Sequence, residues 1–175
     1  EIDTARLTNY GNLDPRFLHL EFDPENEYSV PYHWGTVGIL YNTAMVDEPV
    51  DSWDVLWNEK YADQIYMYDS VRDSMMVALT KLGYSGNTTD AGQIAEAEAL
   101  LKRQKPLVAA YGTDDLRDRM IAGSGALAVT YSGDAYAAII ENPDLAYCVP
   151  DEGSNIWFDN MVIPRSSKNK DAAYL

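Results

Sequence analysis

The sequence predicts an α/β fold, and three observations carry that reading. Between residues 64 and 149, short apolar runs alternate with helical patterns in the order strand, helix, helix, strand, helix, strand, helix, strand. The helical stretches open on Ser, Thr or Asp, and several close at Gly or Pro, so their limits are marked as well as their interiors. The composition is that of a packed domain: of 175 residues, 46% are hydrophobic and 23% charged.

Taken in order, residues 1–29 are polar and turn-rich, with turns at Asn12-Leu13-Asp14-Pro15 and Phe22-Asp23-Pro24-Glu25-Asn26. The apolar run Val30 to Asn42 reads as a strand. Ser52 is placed to cap a short helix through Trp53, Leu56 and Trp57. Gln64 to Tyr68 is a short strand. Ser70-Val71-Arg72-Asp73 has the form of a capping box with Asp for the usual Glu, and the helix after it is expected to bury Val71, Met75, Leu79 and Leu82 before Gly83 and Gly86. Thr89 or Asp90 opens the next helix, with Ile94, Ala97 and Leu101 toward the core and Pro106 as its stop. Leu107 to Tyr111 is a strand. Thr113-Asp114-Asp115 caps a helix through Leu116 and Met120 that Gly123 closes. Ala126 to Tyr131 is a strand, and Ser132-Gly133-Asp134 opens a helix through Tyr136, Ile139 and Ile140. Leu145 to Val149 and Asn155 to Ile163 are strands, and a last helix is expected over Lys168 to Leu175.

Charge narrows the partners. Asp and Glu outnumber Lys and Arg by 28 to 13, for a net charge of -15. Such a surface repels phosphate backbones and anionic lipid, which argues against nucleic acid and membrane partners and favours cations. Most of that acidity reads as a solubility feature. No run approaches the length of a membrane-spanning helix, and no signal-peptide pattern is present. Both ends read as cut from something longer. Cys148 is the single cysteine, which rules out an internal disulfide, and its apolar setting reads as a buried structural thiol.

Catalytic signatures are missing. Gly83-x-x-Gly86 lacks the Lys and Ser/Thr of a phosphate loop, and there is no nucleophile elbow. Two histidines and one cysteine do not make a zinc site, and Asp114-Asp115-x-x-Asp118 lacks calcium-loop spacing, reading instead as an exposed capped helix start. The sequence therefore predicts no cofactor, no metal and no enzyme. What it offers is carboxylates and aromatics at strand ends and helix starts, where open α/β sheets gather ligands. Trp157-x-Asp159 sits on an alternating strand, so both side chains share a face. Tyr131 ends a strand and Asp134 begins the helix after it; Asp69, Ser70 and Asp73 surround another such junction. Ser70, Asp73 and Asp134 also read as helix caps, and Tyr131 as core. An inward Asp159 is harder to dismiss, because an unpaired buried carboxylate is costly.

At these residues the chain resembles the extracytoplasmic polyamine-binding proteins of bacterial ABC importers, the spermidine/putrescine-binding type. Ala78-Leu-Thr-Lys-Leu-Gly-Tyr-Ser-Gly-Asn-Thr-Thr-Asp90 and Gly153-Ser-Asn-Ile-Trp-Phe-Asp-Asn-Met-Val-Ile-Pro164 are the specific motifs; Phe22-Asp-Pro-Glu-Asn-Glu-Tyr-Ser-Val-Pro-Tyr-His-Trp-Gly35 and Trp53-x-x-Leu56-Trp57 support them. The resemblance implies one lobe of a hinged, two-lobe type II periplasmic-binding-protein fold, a mixed sheet flanked by helices. Residues 30–155 would form the second lobe, 1–29 a crossover and first-lobe remnant, and 156–175 a crossover strand with the start of the return. It also implies an extracytoplasmic location in a bacterium and permease subunits as partners. By resemblance, Trp157 is the flat ring against the polyamine methylenes and Asp159 an acidic partner of an amine. Asp73 matches a Glu that binds the far ammonium, and Tyr131 stands where Trp is common. Asp134 matches an acid of the putrescine-preferring branch, whereas Ser70 replaces an Asp of the spermidine type. Rival readings are a binding protein for an iron complex or thiamine, a two-carboxylate hydrolase using Asp73 and Asp159, and a chain that folds without binding any ligand.

Overall fold

A computed structural model describes all 175 residues, in two compact units: 1–34 with 157–175, and 35–156. The sheet is built on β1 (Val30–Asn42, whose residues 35–42 belong to the larger unit), β2 (Ile65–Tyr68), β3 (Val108–Gly112), β4 (Leu127–Tyr131) and β5 (Leu145–Cys148), in the order β3-β2-β4-β1-β5. β2 runs parallel to β3 and β4, while β1 is antiparallel to β4 and β5, so the sheet is mixed. The helices are α1 (Val71–Lys81), α2 (Ala91–Gln104), α3 (Asp115–Ile121) and α4 (Ser132–Glu141). A strand β6 (Ile156–Met161) hydrogen-bonds to β1. No helix is long and apolar enough to cross a membrane.

Period-two alternation explains the layering. Val37 and Ile39 of β1, Ile65 and Met67 of β2, and Leu127 and Val129 of β4 join one core with Trp53, Leu56, Met76 and Val77. The residues that follow Ile39, Ile65 and Leu127 (Leu40, Tyr66 and Ala128) point the other way and join another core with Leu116, Met120, Ala135 and Ala138. Helices α1 and α2 pack on each other through Ala78, Leu79, Ala97 and Leu100. The sheet is thus covered on both faces, and the carboxyl ends of β2, β3 and β4 lead directly or by a short turn into α1, α3 and α4.

Several sequence expectations need correction. The stripe of α1 is offset: Val71 is 84% exposed, and the buried positions are Asp73, Met76, Val77, Ala78 and Leu79. Val71 stands at the first helical position, ahead of the stretch that packs. On α2, Leu100 replaces Leu101 as the buried leucine and Ile94 is exposed. On α4 the small Ala135 and Ala138 face the sheet, and Tyr136 and Ile140 point to solvent. The segment after Ser52 is a 3₁₀ helix, Trp53–Trp57, and in place of a helix over Lys168 to Leu175 there is a single 3₁₀ turn, Ala172–Tyr174. That segment has no side-chain cap bond and no buried residue, and a short helix without packing is marginal. Cys148 is half-buried on edge strand β5, not enclosed.

Candidate functional site

In the larger unit the site is built where β2 and β4 end. Ser70 has extended backbone angles and its Oγ accepts the Asp73 N–H at 3.3 Å, which fixes the first turn of α1. Asp73 lies in that turn and is only 5% exposed. Its Oδ2 accepts the Tyr131 hydroxyl at 2.9 Å, and its Oδ1 accepts the Asn155 side-chain amide at 3.4 Å. Both donors are neutral, and none of the chain's ion pairs involves Asp73. The neighbouring Arg72 reaches Asn87 Oδ1 at 3.3 Å. Tyr131 stacks obliquely on Tyr68, with ring centroids 4.7 Å apart. Burial, and then the Asp73 carboxylate it donates to, hold the Tyr131 phenol well above the usual range.

Asp134, in the first turn of α4, is half-buried and makes no cap bond. Burial pushes its carboxyl above the ordinary carboxylate value; the Asp114 charge adds to this and Arg117 opposes it. The Tyr68 phenol is raised by burial and by the charges of Asp114, Asp134 and Asp73. The structure thus brings Ser70, Asp73, Tyr131 and Asp134 to one set of strand ends. It adds three residues that sequence reasoning missed: Tyr68, Asp114 and Asn155. Asp114 sits at a strand-to-helix junction like the others, but reads as a cap in the sequence; its side chain makes no cap bond, and Asp115 accepts the Thr113 N–H. Tyr68 was visible only as a strand residue.

The smaller unit carries Trp157 and Asp159. On β6 the intervening Phe158 joins an aromatic cluster with Phe17 at 5.9 Å and Phe22 at 6.4 Å, while Phe17 also meets Trp34 at 5.3 Å. Anchoring Phe158 on one face of β6 sets Trp157 and Asp159 on the other. Trp157 is half-buried and Asp159 exposed. An exposed carboxylate is not the buried, unpaired one whose cost made Asp159 stand out in the sequence.

Comparison with known proteins places these residues in context. The pattern of a family described as bacterial extracellular solute-binding protein matches residues 2–175. The chain is 40% identical over 174 residues to the spermidine/putrescine-binding periplasmic protein of Salmonella typhimurium, covering 99% of this chain and 50% of that protein. It is 31% identical over 193 residues to a putrescine/agmatine-binding protein of Pseudomonas aeruginosa, covering 99% of this chain and 53% of that one. A solved spermidine/putrescine ABC transporter substrate-binding protein from Streptococcus pneumoniae matches at 42% identity and a TM-score of 0.86, over 99% of this chain and 54% of that chain. The chain therefore spans about half the length of the relatives it matches.

Proposed function

We propose, from the premise that this chain belongs to the bacterial extracellular solute-binding proteins, that it supplies polyamine-binding residues, for putrescine or spermidine, to an extracytoplasmic protein serving an ABC importer. The observation that carries the reading is Asp73: a carboxylate 95% removed from solvent whose hydrogen-bond partners are neutral. A buried carboxylate without a cation is expensive, and an ammonium group is the complement that offsets it. Asp134 and Asp114 add negative charge at the same strand ends, beside the paired Tyr68 and Tyr131 rings, whose π-systems suit a cationic chain. Within the smaller unit, Trp157 and Asp159 offer a flat indole and a carboxylate on one face of β6; within the larger, Ser70 serves as the cap that sets Asp73. No bond is made or broken in this role, so it calls for no nucleophile. We assign residues 30–155 to the second lobe of a two-lobe protein and the flanking segments to its crossovers, with permease subunits as the partners of the whole.

The deciding experiment is calorimetric titration of the full-length protein with putrescine, spermidine and spermine. Asp73→Asn is expected to weaken binding by about 2–5 kcal/mol, the cost of breaking a buried charge pair, and Asp159→Ala, at an exposed carboxylate, by about 1 kcal/mol. Absence of heat with all three polyamines overturns the reading.

A further inference from the structure

Both donors that hold the Asp73 carboxylate are anchored at one residue of β1. Tyr131 is the cross-strand partner of Val37 in the β1–β4 register. Asn155 accepts the Val37 N–H on its Oδ1 at 3.2 Å, and the Ser154 hydroxyl donates to the Val37 carbonyl at 2.6 Å. The Val37 N–H can only donate, so it fixes which way the Asn155 amide points: oxygen toward the backbone, NH2 toward Asp73. Val37 itself is 1% exposed and immobilised in the core.

We infer that Asn155 is a positioning residue for the carboxylate that meets the polyamine: tied to Val37, it holds Asp73 Oδ1 while the Tyr131 hydroxyl holds Oδ2, so that the charge is oriented before ligand arrives. The inference rests on the polyamine reading of Asp73 and adds a residue to which that reading gave no role. The geometry divides the work unequally. The Tyr131 bond is short at 2.9 Å and the Asn155 bond is long at 3.4 Å, so the amide is the restraint that yields when an ammonium group takes a share of Oδ1. With neutral donors on both oxygens, the carboxylate is held without an internal cation that a ligand would have to displace. A cavity of about 200 Å³ lies beside Asn155, lined in part by Arg72, Met76 and Ser154, and leaves room for a side chain one methylene longer.

The test pairs Asn155→Leu, which keeps the branched shape and removes donor and acceptor, with Asn155→Gln, which the adjoining cavity admits and which restores the donor. In the full-length protein, Asn155→Leu is expected to weaken putrescine binding by about threefold to tenfold, the range for an ordinary hydrogen bond, because the 3.4 Å contact is long. Asn155→Gln is expected to recover most of that loss. Ligand-free crystal structures supply a readout that needs no polyamine: the Asp73 carboxylate should turn away from its wild-type position in Asn155→Leu and return in Asn155→Gln. An Asp73 that stays in place in Asn155→Leu, Leu and wild-type affinities within twofold, or no recovery by Gln, overturns the inference. A wild-type protein that binds no polyamine defeats the functional reading instead, and the ligand-free structures then decide the positioning role alone.

Discussion

Asp134 and Asp23 are both carboxylates whose surroundings drive their proton equilibria in opposite directions. At Asp134, burial and the Asp114 charge outweigh Arg117 and raise the carboxyl. A raised acid favours the protonated form in the folded state, so its contribution is full below the ordinary carboxylate value and is lost as pH rises through the folded one. At Asp23 burial also pushes upward, but the Ser29 hydroxyl and the N–H groups of Tyr28, Glu27 and Ser29 outweigh it, and the carboxyl is lowered. Its contribution is present above the ordinary value and is lost as pH falls. Asp134→Asn is therefore expected to unfold at higher temperature than wild type at pH 7, with the gain vanishing near pH 3. Asp23→Asn should unfold at lower temperature at pH 7 and converge with wild type in acid. Thermal melts from pH 3 to 8 check both signs. Under the proposed function, a polyamine at Asp134 would have the converse effect, favouring the charged form, so binding is expected to weaken in acid.

The helix boundaries were the most legible elements, because they depend on local chemistry. Ser52, Ser70 and Asp90 all accept the backbone N–H groups that their caps require, and Gly83 and Gly123 take the positive φ that ends a helix. Faces were less legible. On α4 a sequence periodicity argument favours the large residues, but Ala135 and Ala138 let the helix approach the sheet and leave Ile140 85% exposed. The Trp157-x-Asp159 pair was legible because strand alternation is simple, whereas Asn155 and Tyr68 acquire meaning only through residues 82 and 63 positions away in sequence. One element contact was invisible in the sequence. Gly38 on β1 lies beneath the Tyr147 ring and against the Cys148 carbonyl of β5, so a methyl group there would be forced into both. Burial pushes the Tyr147 phenol up to about 12, and its hydroxyl donates to the Thr36 carbonyl at 3.3 Å, so the ring has little freedom to retreat. Gly38→Ala is expected to cost about 1–3 kcal/mol, read by chemical denaturation. Gly133→Ala on α4, with open space around its Cβ, should be neutral or stabilising.

At the scale of the molecule, the 28-to-13 excess of acids acts through space more than through contacts. Most ion pairs, such as Arg119 with Asp115 at 2.9 Å, are solvent-exposed and contribute little to stability. The unpaired remainder sets a negative field that draws polycations toward the surface. Putrescine association with the full-length protein is therefore expected to slow by about tenfold between 20 mM and 500 mM salt, with a much smaller change in the dissociation rate, as stopped-flow fluorescence would record. A rate independent of salt would confine the role of the acids to the few that line the site.

Cys148 gives the molecule one further property. It is the sole thiol in 175 residues, half-buried on the edge strand and opposite Ile39 of β1. Burial, reinforced by the charges of Asp151, Asp51 and Glu152, raises the thiol, so at neutral pH it reacts slowly. The chain is thus chemically addressable at a single point without removal of competing cysteines, and the raised thiol makes that chemistry faster as pH rises.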